Sequence, residues 1–349
     1  MAQTMKALVT SAPQTATVQD VPIPQPDDGE ILVQVHRVAQ NPTDWKAVAL
    51  VPPGRTVGCD FAGAVRDARG SPWRAGQRVA GFVQGASDAP ARGAFAEYAV
   101  VEASLVYAVP DGVALADAAA VPLAFATAVQ ALFGRLNLPE PSKPAKSAFP
   151  VLVSGGASSV GLYAVQLAKL AGLYVVATAS PKNHALLQEL GADAVVDYKD
   201  PSWPEQVRKL THDGLEHAFD CIAEHGTPEA IAHALSPTKG GHIVTLLPAN
   251  SVRAQVAGVN KKARIESTIV YTVFERPLKY GPFDNCGEAT PRDKALWEKY
   301  LAVLPEYLAS GKIRPNQVRE VGGMEDILRG FEEQSQGKVS AEKLVYKIA

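Results

Sequence analysis

The residues with the clearest chemical meaning are Gly155, Gly156 and Gly161, within the stretch 150–172, PVLVSGGASSVGLYAVQLAKLAG. The paired glycines remove side-chain bulk and free the backbone where a pyrophosphate would have to come close. Ala157, Ser158, Ser159 and Val160 fill the turn before Gly161. Upstream, Val151, Leu152 and Val153 form a short apolar run of the kind found in a parallel strand covered on both faces. Downstream, Val160, Ala164, Leu167, Ala168 and Ala171 recur at helical spacing. The pattern predicts a strand, a tight turn and a helix whose first N–H groups and partial positive charge face an anion. It is not a G-x-G-x-x-G, and an ordinary tight strand-to-helix connection is the alternative. The hydrolase elbow G-x-S-x-G fails because Val160 stands where its second glycine belongs.

The next segment bears on which nucleotide would bind. Tyr174–Ser180 reads as a second strand, ending about 20 residues past the glycine turn, where an NAD site places a carboxylate on the ribose. No Asp or Glu is there; Ser180, Pro181, Lys182 and Asn183 supply a hydroxyl, a cation and an amide suited to a 2′-phosphate. NADPH is therefore the expected cofactor, although Ser180 and Asn183 could also cap the next helix. The alternation then repeats: helix 183–191, strand 194–198, helix 204–211, strand 217–222, helix 228–235 and strand 241–247. Such alternation means a parallel sheet with right-handed crossovers, which binds ligand at the carboxyl ends of its strands. Tyr198, Leu246 and Leu247 lie just past such ends, Tyr198 either beside an adenosine or as strand-end packing.

At 349 residues and 47% hydrophobic content, the chain is long enough for two domains, each with its own core. A formal net charge of -2 without a basic block argues against nucleic acid. The longest apolar stretch, 113–133, is interrupted by Asp117 and Pro122 and does not read as a membrane span. The first ten residues lack a signal-peptide pattern, and Cys59, Cys221 and Cys286 lie far apart, as expected of thiols in a reducing cytoplasm. Segments 5–11, 30–40, 58–65, 78–82 and 94–100 are short and β-rich, suggesting a partly closed β domain up to about residue 120. The proline-rich 138–150 is the nearest thing to a linker. A helix over 294–310 and a last strand over 343–348 return the chain to the β domain, so the expected domains are 1–124 with 300–349, and an inserted 125–299. Ile265–Glu275 reads either as a pocket wall or as the last sheet strand, with Val273 and Phe274 in packing.

Read in order, MKALV (5–9), NPTDWK (41–46), GCDFAG (58–63), GAFAEYAVV (93–101), SGGASSVG (154–161), LASGKIRP (308–315) and EKLVYKI (342–348) resemble the medium-chain dehydrogenase/reductase superfamily over essentially the whole chain. Within it the chain is similar to fungal trans-acting enoyl reductases, the stand-alone NADPH enzymes serving polyketide synthases. That resemblance rests on NPTDWK, the Ser-Gly-Gly turn, SPKN (180–183), Asp197–Tyr198, AFDCI (218–222) and EKLV (342–345). It implies an α/β protein with a GroES-like β domain, an inserted Rossmann doubly wound sheet and substrate in the interdomain cleft. It also implies a carrier protein bearing an enoyl thioester as partner, and leans toward a monomer. Carried over position by position, the cofactor contacts fall on Thr43, Asp44, Trp45 and Lys46, on Gly155, Gly156, Ala157, Ser158, Ser159 and Val160, on Ser180, Pro181, Lys182 and Asn183, and on Tyr198, Leu246, Leu247, Val339 and Ser340. The acyl pocket falls on Val121, Pro122, Leu123, Ala124, Phe125, Ala126, Thr127 and Ala128, and on Ile265, Thr268 and Tyr271.

Zinc-dependent relatives carry a His-Glu pair where this chain has Cys59 and Asp60, and a lobe of four close cysteines that it lacks near Pro90. A structural zinc needs four ligands and a catalytic one needs three. Three scattered cysteines cannot build the structural site; Cys59 and Asp60 are chemically possible ligands of a catalytic zinc, but no metal is expected, and Cys59 reads as a small buried apolar residue. Conjugate reduction of an activated C=C then suits the residues: hydride reaches the β-carbon of an α,β-unsaturated thioester, and the enolate needs donors. Lys46 and the Thr127 hydroxyl are the candidate catalytic groups, Lys46 alternatively touching only the cofactor ribose or Asp44. Two other readings stay open: a zinc-free quinone or enone reductase, and a non-catalytic NADPH-binding partner protein.

Overall fold

The structure is a computed structural model that describes residues 3–12, 14–276 and 291–349. The chain divides into two compact units, Met1–Leu123 with Glu298–Ala349, and Ala124–Trp297.

The second unit is built on six strands: β1 (Pro150–Ser154), β2 (Tyr174–Thr178), β3 (Ala194–Val196), β4 (His217–Asp220), β5 (Gly241–Thr245) and β6 (Ala263–Ser267). All six are parallel, in the order 3-2-1-4-5-6. This is the doubly wound Rossmann arrangement, with its switch point between β1 and β4. The sheet exists because its strands bury apolar side chains: Leu152, Val176, Ala218, Ile243 and Ile265 join Trp203, Val207 and Ile231 of the flanking helices in one core. Each fully buried aliphatic side chain contributes about 1.5–3 kcal/mol.

A second feature of this unit is polar. The helix Pro122–Val129 runs on into a π-helical turn, Gln130–Arg135, that is buried throughout. Arg135 grips Asp293 with two parallel bonds of 2.7 and 2.6 Å. Gln130 donates to the Thr272 hydroxyl at 2.9 Å, and the Thr272 hydroxyl lies 2.5 Å from the Asp293 carboxylate. These contacts explain why 265–275 is not one long strand. The ladder ends where Thr268 N–H bonds Thr245 O, and Thr272 N–H, donating to Ile269 O, turns the chain into the 3-10 helix Val270–Phe274.

The first unit holds a seven-stranded sheet. Its order is Gln317–Gly322, Glu342–Lys347, Glu30–Ala39, Asp60–Asp67, Arg78–Phe82 and Val106–Ala108, with Tyr98–Glu102 also on Glu30–Ala39. The C-terminal strand pairs antiparallel with Glu30–Ala39, Val345 facing Ala39, so the end of the chain is stitched into the N-terminal β structure. The strand expected over 94–100 starts at Tyr98, because Phe95 instead exchanges backbone bonds with Val57 and Leu8. The proline-rich 138–150 is no linker between units; it lies inside the second, where Ala145 N–H bonds Ala171 O. Cys286 lies outside the described residues.

Removing one partner of a buried ion pair strands the other charge at a cost of about 3–5 kcal/mol. Asp293→Ala should therefore lower Tm by roughly 10 °C in a calorimetric scan. An unchanged Tm would show that the Arg135 clamp does not support the fold.

Candidate active site

In the parallel-sheet unit, the glycine turn leaves the end of β1 at the switch point. Gly155 has φ +72, in the left-handed region. A Cβ at Gly161 would lie 2.3 Å from Gly155 O, and one at Gly156 would lie 3.0 Å from the Ala177 Cβ. The turn is thus closed to side chains, as a cradle for a phosphate requires. Thr178, at the end of β2, fixes it from below: its hydroxyl accepts Gly155 N–H and its carbonyl accepts Gly156 N–H, both at 2.9 Å. Ser158 caps the helix Ser159–Leu170 by accepting Gly161 N–H at 3.0 Å.

Past β4, Asp220 is buried and organises the loop beside the turn. It accepts the Thr227 hydroxyl at 2.7 Å and the Ile222 and Ala223 N–H groups at 3.1 Å. The loop carries Ala223 and His225 at φ 62 and 59, and Ile222 packs directly over Gly155. Cys221, beside Ser158, has its thiol pushed up by burial and then by the Asp220 charge, so it is held as a neutral thiol.

Ser180 and Tyr198 emerge from neighbouring strand ends, since β3 pairs with β2 through Val196 and Thr178. Neither Ser180 nor Asn183 caps a helix with its side chain. Pro181 and Lys182 are exposed, and Tyr198 is 51% exposed. Leu246 and Leu247 follow the end of β5, half-buried, with Leu247 O accepting the Ser267 hydroxyl. Among the candidate pocket residues, Val121, Ala124, Phe125 and Ala128 have no exposed surface. Phe125 packs edge-on against Tyr163, and Ile265 belongs to the sheet core. The Thr268 hydroxyl donates to Gln130 at 2.5 Å. Leu123, Thr127 and Tyr271 keep a little surface; Pro122 and Ala126 are buried.

In the β unit, NPTDWK forms the short helix Pro42–Val48 capped by Asn41. Thr43, Trp45 and Lys46 are half-buried, and the Lys46 ammonium lies 5.5 Å from the Trp45 ring centroid. Asp44 points the other way. It is buried, receives Asn41 N–H at 2.7 Å and the Cys59 thiol, and leaves Oδ1 with no hydrogen-bond partner among the described residues. Burial pushes its carboxyl up to about 7, against those two hydrogen bonds. Its side chain therefore faces the interior, and only its backbone stays with the surface group of Thr43, Trp45 and Lys46. Val339 is half-buried and Ser340 exposed, just before the C-terminal strand.

Asp60 was weighed in the sequence only as a metal ligand, and the structure gives it different partners. It accepts Leu123 N–H at 2.8 Å and Asn41 Nδ2 at 2.8 Å, with the Lys343 ammonium at 3.2 Å. Burial raises its carboxyl and Lys343 opposes that rise. Lys343 escaped the sequence reading; the signal was a lysine inside an otherwise inward run, KLVY. Among the described residues, no group of three or more His, Cys, Asp or Glu side chains could hold a metal ion. No helix there is long and apolar enough to cross a membrane.

Two family models match the chain, the alcohol dehydrogenase GroES-like domain over residues 27–111 and the zinc-binding dehydrogenase over 159–276. A trans-enoyl reductase of Alternaria alternata is 35% identical, with 99% of both chains covered. A zinc-type alcohol dehydrogenase-like protein of Schizosaccharomyces pombe is 36% identical over 99% of this chain and 100% of its own. Among solved structures, the CurK enoyl reductase shares the fold at TM-score 0.78, with 19% identity and 99% of each chain covered.

Folded Asp44 holds its proton to about pH 7, whereas the unfolded chain releases it near 3.8. The stability this gives is present below the unfolded value and is lost as pH rises to about 7. Asp44→Asn should therefore gain in Tm relative to wild type as pH is raised from about 4 to about 8. A Tm difference that stays constant over that range would show that Asp44 does not titrate there.

Proposed function

We infer a specific reaction for this chain, which belongs to the medium-chain dehydrogenase/reductase superfamily. It is an NADPH-dependent enoyl reductase that reduces the α,β-double bond of an enoyl thioester on a polyketide synthase carrier protein, within secondary metabolism. The observation that carries the cofactor half is the cradle at Gly155, Gly156 and Gly161, which a Cβ would fill. Supporting NADPH over NADH, Ser180 and the exposed Lys182 follow β2 where a carboxylate would otherwise meet the ribose. The trans-enoyl reductase relatives, matched over nearly their whole length, support the substrate half. The cytoplasm is the compartment this reading implies.

When bound, a reduced nicotinamide supplies the hydride to the β-carbon. The protein must then hold the acyl chain, stabilise the charge on the thioester oxygen and let a proton reach the α-carbon. Lys46 donates to that oxygen in this reading, with its ammonium steadied over the Trp45 face, a contact contributing about 0.5–1 kcal/mol. The Thr127 hydroxyl is a second donor, on a buried helix that fixes its direction. Ser180, Lys182 and Asn183 hold the 2′-phosphate and carry no part of the chemistry.

Product analysis with NADPH and octenoyl-CoA should give octanoyl-CoA. NADPH oxidation with a quinone and none with the thioester would reassign the chain to quinone reduction. Lys182→Ala should weaken NADPH binding by about tenfold while NADH is unaffected, as for loss of one charge-assisted bond. Lys46→Ala should lower kcat at saturating NADPH at least roughly threefold, and a smaller effect would remove Lys46 from the oxygen.

A further inference from the structure

We propose that Lys343 is a positioning residue for Lys46, acting as a built-in cation that fixes the cap of the helix carrying it. The inference rests on the role given to Lys46 above, and deepens it.

The helix Pro42–Val48 has only seven residues, far below the length at which a helix holds itself together in water. Its direction is set by its anchors, and the anchor at its start is Asn41. Three bonds converge on that residue. Lys343 Nζ donates to Asn41 Oδ1 at 2.5 Å, Asn41 Nδ2 donates to Asp60 Oδ2 at 2.8 Å, and Asn41 N–H donates to Asp44 Oδ2 at 2.7 Å. Lys343 also lies 3.2 Å from Asp60 Oδ2, which closes a ring of cation, amide and carboxylate. The ammonium faces the amide oxygen and the Asp60 carboxylate faces the amide nitrogen, so together they fix which way the Asn41 amide is turned. Without the cation, the buried amide oxygen would lose its charged donor, and Asp60 alone would hold the Asn41 side chain.

The ring is also dry. Lys343 and Asp60 side chains are 1% and 0% exposed. Backbone geometry holds the lysine in place, since Gln40 N–H bonds Leu344 O at 2.9 Å and so sets Lys343 beside Asn41. A charge pair of this kind is weak evidence for stability, and more telling as a device that selects one arrangement. The arrangement selected is the start of the helix on which Lys46 stands two residues after Asp44.

A mutant cycle separates positioning from plain support of the fold. The charge-balanced pair Lys343→Met with Asp60→Asn avoids a stranded buried charge. It is compared in the wild-type and Lys46→Ala backgrounds, with octenoyl-CoA and NADPH, alongside Tm and NADPH fluorescence titration. The expected result is a kcat at least about threefold lower in the wild-type background, by no more than Lys46→Ala itself lowers it, and changed less than about twofold when Lys46 is already alanine, with NADPH still bound. Asn41→Ala, which cuts the relay while leaving Lys343 on Asp60, must show the same dependence and serves if the pair fails to fold. A loss that persists undiminished in the Lys46→Ala background, or no loss in either, overturns the inference. Lys46→Ala with unchanged kcat defeats the role of Lys46 itself, and this inference with it, before any Lys343 variant is read.

Discussion

The parallel-sheet unit depends on one close approach: the first turn of a helix pressed against the loop that leads into it. Gly161 lies so near Gly155 O that a single methyl group could not stand between them. That closeness places the helix N-terminus directly over the end of β1 and points its dipole at the turn. Thr178 then pins Gly155 and Gly156 from the neighbouring strand, so the cradle is preformed rather than shaped by a ligand. Preformed donors lose little entropy on binding, so a turn fixed in advance is suited to an anion. Asp220 extends the same order across the switch point, holding a loop with two left-handed residues against the turn.

The β unit solves a different problem. Its interior carries two carboxylates, Asp44 and Asp60, and a lysine, all withdrawn from water. Asp60 is fully engaged, with one oxygen on Leu123 N–H and the other shared by Asn41 and Lys343. Asp44 is less completely satisfied, since its Oδ1 has no hydrogen-bond partner among the described residues. Two carboxylates with one ammonium leave the cluster best balanced when one of them keeps a proton, and Asp44 is the one whose surroundings favour that.

The alternation of apolar runs and amphipathic helices made the doubly wound sheet legible, because strands buried on both faces must read as continuous hydrophobic segments. Val151–Val153 and Tyr174–Thr178 show it plainly. The first unit was harder to divide, since Phe95 bonds across to Leu8 and Val57, contacts that leave no local pattern. In the site, the glycine turn was readable because a backbone constraint selects a residue type. The Lys343 ring was not, because it joins residues about 300 apart and each member alone looks unremarkable. Thr272 and Gln130 hid for the same reason: a buried polar network is written in pairs, and a single sequence shows only single residues.

That difference bears on how substrate selectivity would arise. Alanines and phenylalanine over 124–128 are packed too tightly to be reshaped by an acyl chain, and Ile265 is held in the sheet core. Within the parallel-sheet unit the least tightly enclosed candidates are Thr127 and Tyr271, each 5% exposed. Tyr271 sits in the 3-10 helix that Thr272 ties to Gln130 and Asp293. A wall fixed from behind by a buried ion pair cannot drift to fit several ligands, so chain-length preference would be set by the side chains it presents rather than by its mobility. Under the proposed reading, swapping those side chains while leaving the Arg135–Asp293 clamp intact would change substrate without changing the fold.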